Sequence, residues 1–281
     1  MNDLTRKIQL KELEILKAIS YACNKLNINY YLAFGTLLGA VRHKGFIPWD
    51  DDMDIWMRRE DYDVFIKKGA EFLPKDYLIQ HYSTDRYTNN IYVKVRDTNS
   101  IFLENDNSET EMNHGFFIDV FPIEKVPRGL FNGRIEFLRR KIFNLINGCY
   151  DLPYVNSIQS SLKRKVALTI HEKICLKKDR NDFIKAEDKR RLILHKKSPK
   201  YYFIGYFGYF GLDEYEHLKK TIQYQFEDTY FTGPENAHFL LSKTYGDYMK
   251  LPPEEKRQTH KPLKIVFDLR EEEKQYESNH I

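Results

Sequence analysis

The chain has 281 residues, 42% hydrophobic and 15% aromatic, enough to bury a substantial core, so a disordered chain is excluded. Its 45 Lys and Arg against 41 Asp and Glu leave a formal charge of +4, too small to demand a polyanion, and no nucleic-acid partner is expected. Three scattered cysteines, Cys23, Cys149 and Cys175, form no C-x-x-C pair, which argues against a disulfide framework or a zinc module and fits a reducing cytoplasm.

The N-terminal stretch MNDLTRKIQLKELEILKAIS is charged throughout and lacks a signal-peptide core, and no later run approaches the ~20 apolar residues of a membrane span. A cytoplasmic protein is expected, with any membrane contact peripheral and at the inner face. Leu13, Leu16, Ile19, Cys23 and Leu26 recur at helical spacing and predict an amphipathic helix from Arg6 to Leu26. Ile28 to Phe34 predicts a strand, Gly35-Thr36 a break, and Leu37 to Arg42 a short helix whose N-terminus lies at Thr36. Beyond the loop HKGFIPW, Asp52 to Met57 alternates acidic and apolar residues as a strand does, and EDYDVFIKKGAEFL continues as a helix. YLIQHY, IYVKVRD and GFFIDVF add three short strands, so residues 1–125 are expected as an α+β unit, a mixed sheet flanked by helices. From Leu130 to about Lys197 the pattern is helical, rich in Lys and Arg and poor in turn signals, which predicts a helical insert or subdomain over 126–200. Residues 201–281 open on YYFIGYFGYFGL, read as buried strand or hydrophobic loop rather than an aromatic cage. They continue through a helix around NAHFLLSKTYGDYM to a stop at Pro252-Pro253 and a polar tail beyond Asp268.

Four aspartates, Asp50, Asp51, Asp52 and Asp54, crowd the start of a strand that otherwise reads as core. Alternation places Asp52 and Asp54 on one strand face, with Met53 and Ile55 on the other. Two carboxylates ~4 Å apart repel by about 1 kcal/mol in bulk water and about 4 kcal/mol at an effective dielectric of 20, so a divalent cation or a raised pKa is expected to relieve them. Mg²⁺, or Mn²⁺ in its place, suits such oxygen ligands because it takes a few carboxylates and is completed by water and substrate phosphates. A calcium loop would need the EF-hand Gly and closing Glu, which are absent. Asp119, alone among Phe116, Phe117, Ile118, Val120 and Phe121, needs a partner in so apolar a strand, either a buried donor or the same metal. Gly35-Thr36, at a strand-to-helix turn, offers backbone N–H groups and a helix N-terminus to an anion. Arg42, Lys94 and Arg96 are candidate diphosphate clamps, each equally readable as a surface or strand-edge charge. Trp49 and Phe46 beside the aspartates are candidate faces for a quaternary ammonium, or packing groups of the loop.

The Gly-Thr turn followed by Asp52-x-Asp54 and a third acidic strand residue, Asp119, resembles the signature of LicD-type phosphotransferases, a branch of the nucleotidyltransferase-fold superfamily that also holds the fukutin-related proteins. The resemblance extends through KVRDTNS (Lys94 to Ser100), GFFIDVFP (Gly115 to Pro122) and YGDYMKLPPEEKRQTH (Tyr245 to His260), and is silent on the helical middle. It implies a nucleotidyltransferase-like catalytic core and transfer of a phosphoryl-alcohol, phosphocholine from CDP-choline foremost, to a hydroxyl of a surface glycan such as teichoic acid or lipopolysaccharide, or its lipid-linked precursor. Asp52, Asp54 and Asp119 are then the expected metal ligands, Asp119 or Asp50 the proton acceptor, and Gly35, Thr36, Arg42, Trp49, Lys94, Arg96 and His260 the donor-binding residues, with the C-terminal part, residues 201–281, completing the site. Nucleotidyl transfer to a small molecule, or a non-catalytic glycan-binding scaffold, are the alternatives.

Overall fold

The computed structural model describes residues 3–104, 111–126, 130–198, 201–203, 212–214, 218, 220–257 and 262–272. A first helix, α1 (Asp3–Leu26), leads into strand β1 (Tyr30–Leu32), helix α2 (Phe34–His43), strand β2 (Asp54–Arg58) and helix α3 (Arg59–Lys68). Strands β3 (Tyr77–Gln80), β4 (Val93–Asp97), β5 (Ile101–Leu103) and β6 (Phe117–Val126) follow. The central sheet has the order β1-β2-β6-β4-β3, with β2 and β6 parallel and the other neighbours antiparallel. The expected mixed sheet flanked by helices is therefore present.

Because strand side chains alternate, this sheet has two different faces. Leu32, Ile55, Met57, Val93, Val95, Ile118 and Val120 join a core with Leu13, Leu16 and Ile19 of α1 and Phe65 of α3. Tyr31, Trp56, Tyr92, Phe121 and Ile123 point to the opposite face. Two helices of the middle cover that second face, α4 (Leu130–Gly148) and α7 (Arg180–Lys197), while α5 (Leu152–Ser157) and α6 (Ser161–Lys173) pack around a small core of their own with Cys149, Val155, Ala167 and Cys175. Phe143 of α4 and Ile184 of α7 pack into the second core. A buried ion network fastens the helices: Arg59 reaches Glu124 at 2.9 Å and Asp188 at 2.6 Å, and Arg140 reaches Glu124 at 2.8 Å. Burial opposes the charge of Asp188, but hydrogen bonds from Arg59 prevail and hold it below the usual carboxylate range.

Beyond the helices, β7 (Tyr201–Phe203) pairs with the far end of β6, and β8 (Leu212–Glu214) pairs with β7; the rest of the aromatic tract lies outside the described residues. A hairpin without a turn signal strong enough to predict it, β9 (Thr221–Phe226) and β10 (Thr229–Pro234), precedes α8 (Ala237–Tyr245). Finally β11 (Lys264–Val266) pairs with β5, and a helical turn continues beyond Asp268 to residue 272.

Two boundaries differ from expectation at the place that matters most. Helix α2 begins at Phe34, so Gly35 and Thr36 lie inside its first turn, and β2 begins at Asp54, leaving Asp52 in the preceding loop. The physical reason is that β1 turns into α2 directly after Leu32, which pairs with Ile55, so no antiparallel partner extends the strand to Asp52. The Ala33 N–H still donates to the Asp54 carbonyl at 3.0 Å, closing the ladder there.

Candidate active site

The acidic loop owes its shape to three supports. Gln9 of α1 donates its amide to the carbonyls of Ile47 at 3.3 Å and Asp50 at 2.8 Å. Glu227, at the turn of the β9–β10 hairpin, receives the Phe46 N–H at 3.2 Å, while its own N–H donates to Lys44 at 2.8 Å. At the far end, the Asp54 N–H donates to the Thr36 hydroxyl at 2.8 Å. Thr36 is buried, so it ties α2 to the first residue of β2. Phe34 turns the chain with φ of 39°, the left-handed region that a bulky residue adopts only under constraint. Its ring is clamped by Trp56 at 4.9 Å and Phe121 at 5.6 Å. Gly35 is needed for space rather than for φ: a Cβ there would lie 2.7 Å from Asp50 Oδ2.

Asp54 and Asp119 are direct neighbours in the parallel register of β2 and β6, on the face that carries Trp56 and Phe121 farther along. Burial, and then repulsion from Asp52, Asp119 and Asp50, push the Asp54 carboxyl well above its ordinary range. Burial also raises Asp119, against the opposing charge of Lys94. Lys94 sits across the antiparallel β4–β6 pair with Nζ 3.0 Å from Asp119 Oδ1 and 3.3 Å over the Phe117 ring. Although so close to the ammonium, Asp119 Oδ1 makes no aligned hydrogen bond.

A cleft of about 1200 Å³ opens beside these carboxylates. Gly35, Asp50, Asp52 and Asp54 line one wall with Arg42 and Trp49, and the end of α8 with the segment after it supplies the other: Tyr245, then Asp247, Tyr248, Lys250, Glu254 and Arg257. Gly246, with φ of 66°, ends α8 and redirects the chain into that wall. Arg42 donates to the Tyr248 carbonyl at 2.6 Å, joining the walls, and the Arg257 guanidinium lies 4.7 Å over the Trp49 ring.

The structure thus brings Gly35, Arg42, Trp49, Asp50, Asp52 and Asp54 to one cleft, with Thr36 and Asp119 directly behind it. It does not bring Arg96 there. That side chain is fully buried, donating to Gln80 Oε1 at 2.7 Å and to the Gly115 carbonyl at 2.7 Å, and Lys94 points to Asp119 instead of the cleft. Both are buried because neighbouring groups enclose them, Arg96 between Gln80 and the Gly115 carbonyl and Lys94 between Asp119 and the Phe117 ring, so residues that read as strand-edge cations are interior. Phe46 is core, packed on Phe226 at 4.9 Å. His260 lies outside the described residues. Among the described residues, no three His, Cys, Asp or Glu side chains converge into a ready-made metal cage.

One pair of residues went unnoticed in the sequence. Gln9 and Glu12 occupy the buried stripe of α1, and Glu12 is raised well above the usual range, by burial first and then by Asp52, Asp51, Asp50 and Asp54. A polar pair on an otherwise apolar helix face was the available signal. The second wall, from Tyr245 to Arg257, falls in the C-terminal part expected to complete the site and inside a matched motif, although no spacing rule points its individual residues at the aspartates.

A family model described as LicD/FKTN/FKRP, nucleotidyltransferase domain, matches residues 27–145. A lipopolysaccharide cholinephosphotransferase LicD from Haemophilus influenzae is 30% identical over 279 residues, covering 92% of this chain and 97% of the relative. The chain belongs to the LicD family. An uncharacterized protein of Rickettsia typhi is 39% identical over 90 residues, 32% of this chain and 27% of its own length. One from Rickettsia prowazekii is 30% identical over 132 residues, 45% of this chain and 50% of its own. The LicD domain match includes the α2 turn, the acidic loop and Asp119, whereas the wall from Tyr245 to Arg257 lies beyond it and is reached by the match to the Haemophilus protein.

Proposed function

We propose that this protein transfers phosphocholine from CDP-choline to a hydroxyl of a cell-surface glycan or its lipid-linked precursor, using Mg²⁺ or Mn²⁺, on a nucleotidyltransferase-like sheet in the cytoplasm. The observation that carries this reading is the Asp54–Asp119 register pair beside a cleft whose walls also bear Arg42, Lys250 and Arg257. Carboxylates suit a hard divalent cation, and basic side chains in the same cleft suit a diphosphate. The incomplete cage fits Mg²⁺, which is held by one or two carboxylates with the donor's phosphates and water completing its shell. Asp54 and Asp119 would hold it, with Asp52 at hand in the loop, and the repulsion at Asp54 is the feature a cation would relieve. When bound, it would neutralise charge building on the transferring and leaving oxygens.

In the reaction, the acceptor hydroxyl attacks the phosphorus that bears choline, the bond from that phosphorus to CMP breaks, and the hydroxyl proton passes to a carboxylate. Asp119 or Asp50 is suited to take it, Asp119 because its raised pKa favours holding a proton. Arg42, Lys250 and Arg257 steady the diphosphate, and Lys94 orients Asp119 rather than touching the donor. A quaternary ammonium offers no hydrogen bond, so aromatic faces and nearby negative charge must recognise it. Tyr245, in the cleft and within the field of Asp54, Asp50 and Asp52, meets both needs better than Trp49, whose face Arg257 already covers.

The deciding assay offers a panel of CDP-linked alcohols with a lipopolysaccharide-type acceptor and follows CMP release. Acceptor-dependent CMP from CDP-choline that stops with EDTA and returns with Mg²⁺ is expected. Nucleotide left on the acceptor would establish nucleotidyl transfer instead.

A further inference from the structure

Helix α4 is turned inside out. A helix packed on a protein ordinarily buries its apolar stripe and exposes its polar one. Here Glu136, Arg140, Phe143 and Asn147 form the buried face, three of the four polar and engaged with Glu124, Arg190 and Asn89. The opposite face presents Ile135, Leu138, Ile142 and Leu145, at 36%, 57%, 47% and 41% exposure. Their spacing of three and four residues puts them on one stripe, and Arg134, Arg139 and Lys141, all exposed, flank it.

Beside the stripe, a groove of about 360 Å³ runs between α4 and α7. Ile142, Phe143, Ile146 and Phe183 line it, with Arg139 and Arg190 also at its walls. The charge of the chain is concentrated here. Residues 130–197 hold 17 Lys and Arg against 7 Asp and Glu, a balance of +10 in a protein of +4, so the remainder is acidic. In the same stretch of sequence, Leu162 and Leu176 are more exposed still, with Lys163, Lys165, Lys177 and Lys178 beside them in the chain.

We infer that the outer face of α4 seats the protein on an anionic lipid surface, with the apolar stripe in the acyl boundary and the basic flanks at the headgroups. An apolar face bordered by Lys and Arg is the pattern of a helix lying in the plane of an interface, and polybasic segments bind anionic leaflets. Two copies of this chain meeting through α4 would instead oppose like charges, which disfavours a dimer. Among the described residues no helix is long and apolar enough to cross a membrane, so a surface mode is the one available to this segment. The inference goes beyond the proposed chemistry, since it requires neither donor nor acceptor.

The test uses the full chain without substrates, co-sedimented with phosphatidylglycerol-containing vesicles or with pure phosphatidylcholine vesicles, alongside light scattering for oligomeric state. Wild type is expected to prefer the anionic vesicles. The Leu138→Gln, Ile142→Gln double variant should lose roughly tenfold or more of that binding, because each change removes the transfer of one aliphatic side chain. Leu138→Gln, Leu145→Gln, which leaves the groove untouched, serves if the first variant melts early. No binding by wild type, unchanged binding by folded variants, or a wild-type dimer that the variants make monomeric would each overturn the inference.

Discussion

The Asp54 carboxyl occupies a place that opposes its own charge, buried at the head of β2 with Asp52, Asp119 and Asp50 around it. Such an arrangement lowers the stability of the metal-free protein and favours any ligand that supplies positive charge. Asp54→Asn should therefore lower turnover roughly 100-fold or more, the scale seen when charge stabilisation is removed from a site. The same change should raise the melting temperature of the metal-free protein at pH 7, by roughly 2–4 °C per kcal/mol of relieved repulsion. The sign follows from the raised pKa: the folded state holds the proton more tightly than the unfolded state, whose aspartate titrates near about 3.9, so ionisation at neutral pH costs the wild type stability. Below that range both states are protonated, and the gain should shrink as melts are repeated toward pH 4. Equal melting temperatures at both pH values would show that Asp54 is not strained.

At the scale of elements, α2 and the acidic loop meet at a single close approach. In a helix, Gly35→Ala would ordinarily add up to about 1 kcal/mol through propensity, but its Cβ would fall 2.7 Å from Asp50 Oδ2 and push that carboxylate aside. Little change in melting temperature with a roughly tenfold or greater fall in kcat/KM is expected; unchanged kinetics would remove Asp50 from the site. The contact between the sheet and the helical middle depends on charge rather than on apolar packing alone. Arg59→Met leaves Glu124 and Asp188 facing each other in the interior and should cost about 3–5 kcal/mol in chemical denaturation. Asp188, Glu136 and Glu187 are all held below their ordinary range by arginines, against burial. Their contribution is complete above the unfolded carboxylate pKa and is lost as pH falls through the folded values. An acid titration followed by the exposure of α7 against the sheet should accordingly show the helices releasing in the range below about pH 4.

For the whole molecule, the two walls of the cleft come from distant parts of the chain, and a ligand that bridges them must report on both. CDP-choline and Mg²⁺ together should raise the melting temperature more than either alone, by RT ln(1 + [L]/Kd) for the bridged complex; additive shifts would mean that diphosphate and cation bind apart. The α+β sheet was legible in period-two runs such as IYVKVRD and GFFIDVF, which admit few other readings, and the candidate acidic centre was legible in aspartates crowded into apolar strands, where an unpartnered carboxylate is costly. The sequence by itself misjudged where β2 begins by two residues, since strand ends are set by the partner strand, and β1 stops at Leu32. Tertiary structure alone decided that Arg96 is interior, because Gln80 of β3 and the Gly115 carbonyl close around its guanidinium. It alone placed Gln9 and Glu12 under the acidic loop and swung residues 245–257 across to face it. These last are contacts between segments some 40 to 200 residues apart, and local propensity and spacing carry no information about which distant surfaces the closing of the core will bring together.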